Sequence, residues 1–223
     1  MEKKLQMSGA TWNPELYVKV PTLLHYPVKV RRFAPGEEVV RFQEPIRELQ
    51  FMVAGRAKVF NVMENGRAVL HTMFQGFEVI GDLEFLRGYP KATTDIQAVT
   101  KVVLLGIPLD ECKKQLQNDA AMLRFLGEEL AKKLERSSRR AAQNLLYPLS
   151  ARLAAYMLFS AEDGVFAENL VQVSEMLGTS YRHLLRTLKV FCGQGALQHM
   201  RKGYRITDEA LLRRENNMLL WEG

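Results

Sequence analysis

The amino-acid sequence predicts an α+β chain: an N-terminal antiparallel β-barrel or roll, then a long helix, then a C-terminal helix-turn-helix with a basic wing. Three observations predict it. Turn signals recur roughly every ten to twenty residues before Pro108, proline vanishes between Leu109 and Leu146, and a glycine-centred helix pair precedes a short basic hairpin. The expected divisions are a β-roll over 1–108, a helical linker over 109–147 and a helical unit over 148–223.

The roll rests on its punctuation. Pro35-Gly36, Ala54-Gly55, Asn65-Gly66, Gly76 and Gly88-Tyr89-Pro90 separate runs rich in β-branched and aromatic residues, such as Leu49-Gln-Phe-Met-Val and Lys101-Val-Val-Leu-Leu. Asn65-Gly66 lies between Phe60-Asn-Val-Met and Ala68-Val-Leu-His. That dipeptide predicts a tight hairpin, because both central residues of such a turn need positive φ.

From Leu109 to Leu146 helix formers dominate, and Asp110 and Asp119 stand where the N-terminal charges of two consecutive helices belong. In the second helix Leu123, Leu126, Leu130, Leu134, Ala141 and Leu145 recur at three and four, interrupted by Ser137-Ser138. A one-sided stripe about 40 Å long calls for a partner of similar length. Either the helix packs on its own domain, or it pairs with the same helix of a second copy, and the second reading is preferred. Tyr147-Pro148 ends it, because the residue before proline is pushed out of the helical region, and Pro148 can open the next helix at its first position.

The segment from Asn169 to Phe191 has a helix-turn-helix layout. Asn169 can cap the first helix, Gly178 supplies the turn, and Ser180 caps the second. On that second helix Leu184, Leu188 and Phe191 share one face, while Arg182, Arg186 and Lys189 occupy the opposite one. Two short strands around Arg201-Lys202-Gly203 then make a wing. An apolar back and a cationic front suit the major groove of double-stranded DNA, where arginine pairs bidentately with guanine or holds phosphate. The candidate DNA contacts are Ser180, Tyr181, Arg182, Arg186, Lys189, Arg201 and Lys202.

Composition agrees. The 223 residues carry 31 Lys and Arg against 25 acids, net +6 with a pI near 9.3. The stretch from Gly178 to Ile206 holds six of those basic residues and no acid, so the surplus favours a polyanionic partner. No run of eighteen apolar residues offers a membrane span, and the basic N-terminus lacks the apolar core of a secretory signal. Two cysteines, Cys112 and Cys192, make no CxxC pair and fit a reducing cytoplasm. Cys112 reads as a packed small side chain, and lone histidines such as His25 and His71 as structural or surface groups rather than haem ligands. There is no Ser/His/Asp set, metal-ligand spacing or P-loop, so an enzyme is not expected. A second signal runs from Val79 to Thr94: Gly81-Asp82-Leu83, then hydroxyl residues about ten later, a pattern that can cradle an anion or be a plain strand–turn–strand.

In this order of parts the chain resembles the cyclic-AMP-receptor-protein/FNR (CRP/FNR) family of bacterial transcription regulators, from about residue 20 to 208. The most specific stretches are Gly55 through Leu83 and Leu177-Gly-Thr-Ser through Gly203-Tyr-Arg-Ile, and Ser-Tyr-Arg-His-Leu-Leu resembles the recognition helix of YeiL-type members. The resemblance implies a cyclic-nucleotide-binding-like β-roll (a double-stranded β-helix), a dimerisation helix and a homodimer on a two-fold-related DNA site. It also implies an unidentified small-molecule effector in the roll, RNA polymerase as a further partner, and no membrane.

The family's cassette for the nucleotide, carried over, selects Gly81, Asp82, Leu83, Thr93 and Thr94, with Lys91 beside the position where the family has a phosphate-binding arginine and this chain has Ala92. Ser137 and Ser138 fall where the cyclic-AMP receptor presents a Thr-Ser pair to adenine. Ala92 disfavours cyclic AMP, so the effector stays unknown, and two cysteines cannot supply the four ligands of an FNR-type iron–sulfur cluster. On the recognition helix the receptor's Arg, Glu and Arg become Tyr181, Arg182 and Arg186, so the half-site should differ. The alternative is a ligand-binding signalling module whose helical end docks a protein, suggested by the cassette and the apolar tail Met218-Leu-Leu-Trp221.

Overall fold

A computed structural model describes residues 19–216 apart from Asn65 and Arg67; of residues 140–145 it describes the backbone alone. After a 3-10 turn at Leu23–His25, the strands β1 (Lys29–Phe33), β2 (Glu38–Val40), β3 (Glu48–Ala54), β4 (Arg56–Val62), β5 (Ala68–Gln75), β6 (Glu78–Ile80), β7 (Asp95–Ala98) and β8 (Val102–Pro108) form two four-stranded antiparallel sheets. Their orders are β1-β8-β3-β6 and β2-β7-β4-β5. The strands alternate as a two-sheet roll requires: Met52, Ala57, Val59, Phe74, Ile80, Ile96, Ala98 and Leu104 meet between the sheets. Helix α1 (Asp82–Arg87) follows β6, so the Gly81-Asp82-Leu83 run opens a short helix.

The β4–β5 connection is longer than the tight hairpin expected from Asn-Gly. Val62 pairs with Ala68, which leaves five residues between the strands, and the Gly66 N–H bonds the Met63 carbonyl at 2.8 Å. Asn65 itself lies outside the described residues. Further along, the register shifts between Val59↔Thr72 and Phe60↔Leu70, leaving His71 unopposed as a bulge. A bulge moves the side-chain alternation by one residue. Hence Ala68, Leu70 and Met73 all lie on the outer face, while Thr72 and Phe74 line the interior.

Helices α2 (Leu109–Gln117) and α3 (Ala120–Leu146) are joined at Asn118-Asp119. Asp119 caps α3 by accepting from the Met122 N–H at 3.0 Å and also accepts from the Tyr26 hydroxyl at 2.8 Å. The two readings of the leucine stripe divide along the helix. Met122 and Leu126 are fully buried against the roll in a cluster with Phe51, Leu105 and Leu116, whereas Leu134 is 68% exposed. The Ala141 and Leu145 side chains lie outside the described set.

The C-terminal unit comprises α4 (Leu149–Ser160), β9 (Val165–Phe166), α5 (Leu170–Met176), α6 (Tyr181–Gly193), β10 (Leu197–His199), β11 (Tyr204–Ile206) and α7 (Glu209–Asn216). Pro148 stands at the N-cap of α4, one residue ahead of the expected first helical position. Its core of Leu153, Tyr156, Val173, Leu184, Leu188, Phe191 and Leu212 is continuous with Ala68, Leu70 and Met73 of β5. The wing sheet has the order β10-β11-β9, so a strand precedes the helix pair as well as following it.

Candidate functional sites

The helix-turn-helix is held by local polar contacts at each end. The Asn169 side chain accepts from the N–H groups of Val171 at 2.9 Å and Gln172 at 3.3 Å, satisfying donors that a helix start leaves unpaired. At the other end of α5, the Arg152 guanidinium donates to the Leu177 carbonyl at 2.5 Å. Gly178 makes the turn at φ +61°, and the Ser180 hydroxyl accepts from the His183 N–H at 3.2 Å to start α6.

Leu184, Leu188 and Phe191 are buried, and this packing fixes which face of α6 turns outward. Tyr181, Arg182, Arg186 and Lys189 are exposed there, as are Ser180, Arg201 and Lys202. The wing turn needs a glycine at 203: φ is +88°, and a Cβ would stand 2.1 Å from the Phe166 carbonyl oxygen. Among the described residues no carboxylate forms an ion pair with Arg182, Arg186, Lys189, Arg201 or Lys202. Helix and wing thus present five exposed cations that no carboxylate of the described residues neutralises.

The second site is a cavity of about 460 Å³ in the roll, closed on one side by α3. Gly81, Asp82, Leu83, Thr93, Thr94 and Ser137 line it; Lys91 and Ser138 are exposed and lie outside the lining. The charges around it are already committed. Lys133 of α3 pairs with Asp82 at 2.7 Å, and Arg136 binds Glu78 through both nitrogens at 2.5 and 2.9 Å. Burial pushes the Asp82 carboxyl above its ordinary range, and the Lys133 ammonium offsets part of that rise. Ala92 is buried, its side chain offers no donor, and its N–H is taken by the Glu44 carbonyl at 2.8 Å. Both donors of Thr93 are taken as well: its N–H and hydroxyl reach Glu84 Oε1 at 2.9 and 2.6 Å. A cyclic nucleotide's phosphate therefore does not fit the cassette as it stands.

Sequence reasoning did not single out Glu84, Lys133, Arg136 or Glu78. The available signal was the pair of cations at i, i+3 on α3, which reads equally well as a solvated helix face.

The two units are joined by a polar contact absent from the sequence reading. Alternation on β4 sends Ala57 and Val59 inward, and Arg56 and Lys58 outward onto the C-terminal unit. Lys58, only 7% exposed in its side chain, pairs with Glu168 at 2.8 Å; the same Glu168 oxygen accepts from the buried Tyr156 hydroxyl at 2.8 Å. Burial first, and then the Glu168 charge, push the Tyr156 phenol well above its ordinary pKa, so it remains the donor. Arg56 donates to the Phe159 carbonyl and, at 2.9 Å, to that of Ala161, covering acceptors left open at the end of α4. Glu168 immediately precedes the α5 cap, so the contact ties the first helix of the pair to the roll.

The comparisons with known proteins bear on both sites. Residues 30–119 match the cyclic nucleotide-binding domain family. The regulatory protein YeiL of Escherichia coli O157:H7 is 35% identical over 166 residues, covering 74% of this chain and 74% of that one. The chain belongs to the CRP/FNR family of transcriptional regulators. The CRP/FNR fold recurs in a CRP-family transcriptional regulator from Thermus thermophilus, 18% identical with a TM-score of 0.67, over 84% of this chain and 96% of that one. It recurs again in the c-di-GMP-responsive regulator CLP of Xanthomonas campestris, 16% identical with a TM-score of 0.63, over 81% and 94%.

As CRP/FNR architecture requires, the β-roll, the connecting helix and the helix-turn-helix lie in that order. No helix among the described residues is long and apolar enough to cross a membrane. Cys112 is buried and its thiol is pushed up by that burial, which suits a packing role. The tail Met218-Leu-Leu-Trp221 is outside the described residues.

Proposed function

We propose that this CRP/FNR regulator binds double-stranded DNA sequence-specifically as a homodimer, inserting α6 into the major groove and laying its basic wing on the adjacent backbone. The unpaired cationic face of α6 carries this reading. Arg186 reads a guanine edge, Arg182 takes guanine or phosphate, and Lys189, Arg201 and Lys202 hold the backbone. The exposed Leu134, on a helix whose earlier turns pack on the roll, supports pairing of α3 with its copy in a second chain. RNA polymerase is the further partner that the family resemblance brings.

Control comes from the roll through the α3–α4 junction at Tyr147-Pro148. Tyr147 packs there on Ala151 and Ala155. An effector re-aims the two recognition helices only if it binds the DNA-competent arrangement better than the other. Hydroxyl-radical footprinting of the bound operator tests the geometry. It should show two protected patches related by a dyad, with half-site centres about 34–36 Å apart. A single patch without dyad symmetry would contradict the homodimer.

A further inference from the structure

The cavity in the roll has an arrangement that the cassette alone does not suggest. Its walls are apolar, formed by Val59, Phe74, Ile80 and Ile96 of the roll and Leu130 of α3. Among the described residues the lysine and arginine that line it are each bound to a carboxylate of the roll, Lys133 to Asp82 and Arg136 to Glu78. Glu84 remains: it is 6% exposed, has no ion-pair partner among the described residues, and is fixed by the N–H and hydroxyl of Thr93. A carboxylate accepting a backbone N–H and a hydroxyl does what an anionic ligand would do at the same donors. The anion site is occupied by the protein itself, and an incoming phosphate would meet a fixed like charge in a poorly solvated place.

We propose that the cavity is the effector site for an uncharged, largely apolar small molecule, with Glu84 acting as an internal anion that excludes cyclic nucleotides. This rests on the reading of the roll as the sensory domain of the regulator. About 460 Å³ falls in the range of small-molecule sites, and apolar walls with a few placed polar groups are what such sites present. His71, Thr72 and Thr94 supply the polar rim.

Two probes separate the alternatives on the full-length protein. N-phenyl-1-naphthylamine is neutral and fluoresces in apolar surroundings; cyclic AMP carries the phosphate. The neutral probe should bind saturably, a single molecule per chain, and Val59→Phe should abolish its signal by filling the cavity. Ile96→Phe, on another strand, serves should circular dichroism show Val59→Phe to be unfolded.

Cyclic AMP should give no calorimetric heat with the native chain. It should gain at least about tenfold in affinity when Glu84→Ala frees the Thr93 donors and Ala92→Arg adds a bidentate one. Cyclic AMP binding to the native chain, lost in Thr93→Val, would overturn the proposal. So would failure of the neutral probe to bind, or its undiminished binding to both filled variants. DNA binding measured on the same preparations keeps the two readings apart, since the regulator reading fails only if the folded chain binds no DNA.

Discussion

Replacing Arg186 with alanine is expected to weaken binding to the selected operator by about 1–3 kcal/mol, roughly five- to 150-fold, and to relax the preference at one base position in each half-site. Arg186 is exposed on the face opposite Leu184 and Leu188, and no carboxylate of the described chain competes for it. Its five donors are therefore free for a guanine edge, where a bidentate contact carries sequence information. Lys189 one turn further on should behave differently. Lys189→Ala should weaken all sequences alike and lower the salt dependence by about one unit, the signature of a phosphate contact. Equilibrium binding to the operator and to single-base variants, at several salt concentrations, distinguishes the two. An unchanged base preference in Arg186→Ala would remove it as a base reader.

Removing Glu168 should have the largest effect on stability. In Glu168→Ala the Lys58 ammonium, 7% exposed, loses its counter-charge and the buried Tyr156 hydroxyl loses its acceptor. Breaking one side of a buried ion pair costs about 3–5 kcal/mol, because the remaining charge stays desolvated and uncompensated. For a chain of this length that corresponds to a fall in Tm on the order of 10 °C.

Since the contact joins the roll to the helix-turn-helix unit, the loss should also uncouple them, and scanning calorimetry should resolve two transitions in place of one. Lys58→Met combined with Glu168→Gln removes the buried charge while keeping an acceptor for Tyr156, and should recover most of the loss. A Glu168→Ala protein whose melting curve superimposes on the native one would contradict this latch.

What was legible in the sequence depended on short-range physics. Turn residues and period-two runs give the roll, because Gly36, Gly55 and Gly76 each interrupt a run whose side chains alternate. The caps Asn169 and Ser180 and the two faces of α6 are local as well, so this helix is legible residue by residue from its own segment. The loop after β4 is longer than its Asn-Gly implies, since that dipeptide specifies a turn but not how many residues flank it before pairing resumes at Val62↔Ala68. A two-residue strand such as β9 carries too little pattern to be seen.

The cavity shows the limit more sharply. Gly81, Asp82 and Thr93 were placed together by analogy with the cassette, and they do line one space. Their partners were invisible. Glu84 reaches Thr93 only because the short α1 folds it back across nine residues, and Lys133 arrives from a helix fifty-one residues on. Lys58 and Glu168 are 110 residues apart, and the outward face of β4 reads as solvated until the second unit covers it. Charges bound for a buried partner and charges bound for water look alike in sequence.

The measurement that tests the central claim most directly is in vitro selection from a randomised duplex library with the purified full-length protein, run with and without a small-molecule extract of cells. A sequence-specific homodimer predicts enrichment of a two-fold palindrome with a guanine in each half-site whose selection is lost in Arg186→Ala. A folded protein that enriches no sequence under either condition would contradict it.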